Sequence, residues 1–192
     1  MTALIIGLVL FLGVHSVRIA ADPWRSQMVS RVGARAYKGV YAFVSLAGFL
    51  LLLWGFREAR HAPVVLWPPL LWARPLTALL TLVAFVLFIA GYVPRNSIKA
   101  RLHHPMVLSV KAWAFGHLLA NNTLADLLLF GAFLAWAILS FRAARARDRA
   151  AGTVYPPGTA GATVVTVVIG AIAWAAFALW VHERWLGVRP FG

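Results

Sequence analysis

Long apolar runs, each closed by a short polar and usually basic stretch, set the rhythm of this chain. Six such runs can be drawn, over residues 2–19, 39–56, 76–93, 105–119, 124–141 and 162–181. Most reach the roughly 17–25 residues that carry a helix across a bilayer. The pattern predicts an all-α integral membrane bundle of about six transmembrane helices, joined by short connections, as a single domain over residues 1–192.

The polar breaks refine this outline. The fourth run is the shortest and most polar, and it is expected to begin at Pro105, because proline disfavours helical geometry at His104 but is tolerated in a first turn. Asn121 and Asn122 should end it. Between the first two runs, Trp24, Met28, Val29 and Val32 alternate with Arg25, Arg31 and Arg35. A basic amphipathic helix on the membrane surface and an irregular basic loop fit that segment equally. Pro63, Pro68 and Pro69 argue against regular structure in the second connection, where Trp67 and Trp72 suit the headgroup region. Thr123 and Asp126 form a capping-box pattern at the start of the fifth run. Residues 142–161 pass from basic to proline- and glycine-rich and read as a flexible connection before a final helix at 162–182.

Composition changes the meaning of the charge. The chain is 62% hydrophobic and 12% charged with a mean hydropathy of +0.82, and its formal net charge is +13. On a soluble protein such a charge would suggest nucleic acid. Here the 18 Lys and Arg cluster between apolar runs, as the positive-inside rule requires. Eleven of them, from Arg25 to Arg149, fall in the first, third and fifth connections, against five, from Arg57 to Arg189, on the other side. The expected setting is a bacterial inner membrane with both termini periplasmic and the first apolar run retained as a helix. Lipids and a membrane or reductase protein are the expected partners. With no cysteine in the chain, disulfides, thiolate ligands and cysteine nucleophiles are excluded.

Ionisable residues within apolar runs carry the chemistry. Each costs a few kcal/mol in hydrocarbon and tends to face a protein interior, a cavity or a cofactor. His117 shares one helical stripe with Trp113, Val110, Met106 and His103, while Lys111 lies off it. His15 closes the first run, with Arg18 one turn on. Two intramembrane histidines with almost no carboxylate point away from zinc and di-iron. They fit two axial ligands to a haem, with Arg18, Arg101 and Lys111 as the cations available to its propionates, and they fit equally a hydrogen-bonded structural pair. His117 falls about 18 Å along its helix from Pro105, so His104 matches the depth of His15 better and is the alternative ligand. His61 and His182 read as interfacial groups. No Walker loop, GxGxxG, GxSxG or HExxH motif occurs.

Three separated motifs, VHSVR at 14–18, RLHHP at 101–105 and AFGHLLAN at 114–121, resemble the NnrU family of bacterial membrane proteins. The likeness covers about residues 1–141 and implies a role in denitrification, in the expression or function of nitrite and nitric oxide reductases. The family is in turn similar to the plant 15-cis-zeta-carotene isomerases, which implies haem b with His15 and His117 as axial ligands and opens the prospect of isomerase or redox activity. The cysteine those isomerases carry three residues before the second histidine is Ala114 here, so no thiolate can exchange with the imidazole. His104–Pro105 also resembles the loop of isoprenylcysteine and phospholipid methyltransferases, without the arginine and the paired glutamates of that pattern. The rival expectation is a cofactor-free accessory or assembly protein.

Overall fold

The computed structural model describes residues 1–70 and 72–191. In chain order its helices are α1 (Thr2–Ala20), α2 (Asp22–Val32), α3 (Ala34–Ala59), α4 (Ala73–Tyr92), α5 (Ser97–Leu102), α6 (Pro105–Ala120), α7 (Leu124–Ala151) and α8 (Ala160–Ala176), followed by a π-helical turn (Phe177–Val181) and α9 (His182–Leu186). Among the described residues there is no strand, only isolated bridges at Val65–Thr123 and Asn96–Thr159. Five helices are long and apolar enough to cross a membrane: α1, α3, α4, α7 and the stretch from Ala160 to Leu186. The sixteen residues of α6 span about 24 Å at 1.5 Å per residue, less than the hydrocarbon core of about 30 Å. Phe43 and Val40 are 74% and 66% exposed, which suits side chains facing lipid and would be a liability in water.

The chain divides into two compact units. The first holds residues 1–68 and 122–143. Its centre is the pairing of α1 with α3, brought to backbone contact by glycines: a Cβ on Gly7 would strike the backbone of Leu52, and one on Gly55 the backbone of Leu4. Small residues allow this approach, and close packing replaces the hydrophobic effect as the source of helix association in lipid. Leu4, Leu8 and Leu52 are buried along this line, as are Ala125, Leu129 and Phe130 of α7. α2 hangs between Ala21 and Gly33, whose φ of 84° is one only glycine adopts without strain. Before α7 the chain pairs with itself, Leu66 N donating to the Asn122 carbonyl and Leu124 N to that of Val64. The capping box then closes reciprocally, Thr123 Oγ1 bonding Asp126 Oδ2 at 2.6 Å while the Asp126 amide donates back to Thr123 Oγ1 at 3.2 Å.

The second unit holds residues 69–121 and 144–192. α4 packs against both α6 and α8. Thr77 Oγ1 donates across to the Gly116 carbonyl at 2.7 Å, and Trp174 Nε1 donates to Thr81 Oγ1 at 3.0 Å. Asn96, 1% exposed, organises the turn into α5: its amide donates to the carbonyls of Ala90 and Val93, and its Oδ1 accepts from the Lys99 amide.

Several element bounds differ from the pattern reading. Residues 22–32 form a helix and not an irregular loop. α7 runs ten residues beyond Phe141, so the flexible connection expected at 142–161 shrinks to 152–159. The overhang RAARARDRAA consists of good helix formers, and its charge hides it from a search for apolar runs. The final helix starts at Ala160 and breaks into a π turn at Phe177. α6 begins at Pro105, as the proline's geometry requires.

Candidate functional site: the His15 cleft

His15 lies late in α1, and its Nδ1 sits 2.6 Å from the carbonyl oxygen of Phe11, one turn back. A carbonyl only accepts, so Nδ1 carries the proton of this bond, and the neutral ring presents Nε2 as a lone pair. Fixing one imidazole nitrogen on a backbone carbonyl is the arrangement that orients histidines toward metals. Three aromatic rings surround the imidazole at centroid distances of 4.3 Å (Phe11), 5.3 Å (Tyr41) and 6.1 Å (Trp136). Trp136 is approached edge-on at 87°, and its indole N–H is buried with no hydrogen-bond partner among the described residues. An unsatisfied buried donor costs about 1–3 kcal/mol unless a bound group accepts from it.

Beside the imidazole, within the same unit, α1, α2 and α3 enclose a cleft of about 320 Å³. His15 and Arg18 line it from α1, Arg25 from α2, and Tyr37, Lys38 and Tyr41 from α3, over valines 14, 17 and 29. Arg18 Nε and Arg25 Nη1 each stand 3.9 Å from the Asp22 carboxylate. The Arg25 guanidinium lies 5.7 Å from the centre of the Tyr37 ring. The cleft thus combines an apolar floor, an imidazole with a presentable lone pair, and a rim with surplus positive charge. It suits an apolar ligand that carries acidic groups at one edge.

His117 lies in the second unit, on α6, with the same local device: Nδ1 2.9 Å from the Trp113 carbonyl, and the Trp113 ring 5.4 Å away. The Thr77–Gly116 bond fixes the backbone next to it. Of the three cations expected at propionates, Arg18 lines the cleft with His15, Lys111 is half-buried on α6, and Arg101 is exposed on α5. Ala114 is fully buried.

His104 is engaged elsewhere. Its Nε2 is 2.7 Å from Asp148 Oδ2, which also accepts from the Tyr155 hydroxyl at 3.0 Å. His103, at φ 68°, stacks on Tyr155 at 4.2 Å and bonds Arg145. Burial pushes the Tyr155 phenol above the usual tyrosine range, and donation to Asp148 adds to the shift. These side chains tie the RLHHP turn to the overhang of α7 and to the loop after it. His182 Nδ1 lies 2.8 Å from the Val188 carbonyl, and no group of three or more His, Cys, Asp or Glu suited to a metal ion occurs among the described residues.

Sequence reasoning missed Arg25, Tyr37, Lys38, Tyr41 and Trp136 as neighbours of His15. One signal was present, the i, i+4 spacings of Tyr37–Tyr41 and Arg25–Val29, which put each pair on one helix face. The Asp148 and Tyr155 partnership with His104 had none.

Apolar spans and a half-buried imidazole beside a cationic rim define a helical membrane protein with a candidate site for an acidic amphiphile or cofactor. The model for NnrU protein matches residues 3–190. The chain belongs to the NnrU family. No curated protein and no solved structure matches it.

Proposed function

We propose that this protein is an inner-membrane haem b protein, with both termini periplasmic, that supports the nitrite and nitric oxide reductases of denitrification. His15 and His117 are the proposed axial ligands. The observation that carries the reading is the Nδ1 of His15 held on the Phe11 carbonyl, which leaves Nε2 to a ring set among three aromatic rings and lining a cleft with Arg18 and Arg25. His117 repeats that local arrangement.

Around each histidine taken by itself, the residues suit such a group. His15 and His117 would hold iron through Nε2, Phe11 and Trp113 would keep each ring in the correct tautomer through their carbonyls, and Arg18 would face a carboxylate. The buried Trp136 N–H adds a donor with no protein acceptor. When bound, haem supplies a redox-active iron that takes small diatomic ligands or electrons. The chain's own part is to orient two imidazoles and to exclude water with Val, Phe and Trp side chains. Isomerase chemistry is the secondary reading; Ala114 leaves it without a thiolate.

An absorption spectrum of the purified protein, with and without nitric oxide, tests this. The expected result is a Soret band with low-spin features that shifts with nitric oxide and is lost in His15→Ala and in His117→Ala. A protein that stays colourless after haem supplementation would overturn the reading in favour of a cofactor-free accessory protein.

A further inference from the structure

The positive-inside rule accounts for Arg31 and Arg35, which are exposed, as ordinary solvated charges. It does not account for Arg25. This side chain is half-buried, reaches into the cleft beside His15, lies against the Tyr37 ring, and has only a distant carboxylate for company. Lys38 from α3 and Arg18 from α1, both exposed, line the same space. Arg25, whose one carboxylate stands 3.9 Å away, and Lys38 on the same cleft bring charge that an acidic ligand can neutralise.

We infer that the α1–α2–α3 cleft is a carboxylate clamp, in which Arg25 and Lys38 bind the two acidic arms of the cofactor whose iron His15 holds; this rests on the haem reading above. The volume of about 320 Å³ is at the low end for a site that encloses a drug-sized ligand, so the cleft takes the acidic edge of the molecule and not its whole body. Guanidinium is suited to this because its fork donates two parallel bonds to one carboxylate, and charge-assisted bonds are roughly twice as strong as neutral ones. Tyr37, next to Lys38 on α3, lines the same cleft. Arg25 and Lys38 are positioning residues: they select and orient the acidic edge and touch no reacting atom.

The test compares iron protoporphyrin IX with its dimethyl ester, which keeps the ring and the iron but has no carboxylates. Full-length protein from haem-deficient cells, in detergent, is titrated with each and followed by the Soret band. The wild type should bind the free acid at least about tenfold more tightly than the ester, the ratio that 1.4 kcal/mol of charge pairing yields. In Arg25→Gln/Lys38→Gln the free-acid affinity should fall to that of the ester, with ester affinity unchanged. A wild type that does not discriminate, or a double variant that still does, would overturn the clamp while leaving haem binding intact. If neither compound gives a Soret shift with the wild type, both readings fall together. Should the double variant bind neither compound, Arg25→Lys/Lys38→Arg decides: recovered discrimination supports the clamp, and continued failure shows that these residues act through packing and sinks it.

Discussion

Two histidine sites at the ends of helices in this protein are built on opposite plans. In the turn before α6, the two histidines of the RLHHP segment find protein partners: Asp148 accepts from Tyr155 and pairs with His104, while His103 stacks on Tyr155 and bonds Arg145. In the cleft of the first unit, His15 spends one nitrogen on a backbone carbonyl, Trp136 keeps a buried donor unused, and Arg25 stands 3.9 Å from the Asp22 carboxylate. Each buried polar group left without a partner is destabilising. A network that closes on itself holds a structure together, whereas one that stays open has a place for something else.

Breaking each site should therefore have different results. The largest contrast is between His15→Ala, expected to reduce haem retention more than about a hundredfold, beyond the cost of losing a group that merely orients a ligand, and His104→Ala, expected to retain the band. His104→Ala and Asp148→Asn should instead lower stability by about 1 kcal/mol and hasten proteolysis at residues 152–158, read by thermal melts and limited digestion. Equal loss of haem in both histidine variants would erase the distinction and make His104 as good a ligand candidate as His15.

Trp136→Phe sharpens the comparison from within the cleft. Without ligand, removing an orphaned donor should stabilise the protein by about 1 kcal/mol; with haem present, the same change should weaken binding if that N–H donates to the cofactor. Melting curves with and without haem would show the opposite signs. Destabilisation in both states would mean the indole has a structural role.

The smallest effect is optical. Tyr155 should form phenolate only above the usual tyrosine range, seen as the difference at 295 nm between wild type and Tyr155→Phe, and Asp148→Asn should bring the transition down. Its folded pKa is raised, so the stability it contributes is complete below the unfolded tyrosine value near 10 and is lost as pH rises through the folded value.

What could be read from the chain follows from how local each signal is. The apolar spans, the start of α6 at Pro105 and the Thr123–Asp126 box depend on residues within one or two turns, and the structure has them. The overhang of α7 escaped because its helix formers are charged, so the apolar period stops at Phe141 while the backbone bonds continue. The cleft needs three helices to converge, and nothing in the hydropathy of Arg25 separates it from Arg31. The pairing of His104 with Asp148 joins residues 44 positions apart, and a single sequence carries no trace of it.

The glycine contact between α1 and α3 has a mechanical consequence for the cleft. Two backbones pressed together at Gly7 and Gly55 cannot slide or swivel without separating, so the walls bearing His15 and Tyr37 move as one piece. α2 is the remaining wall, suspended between Ala21 and Gly33, and it brings Arg25.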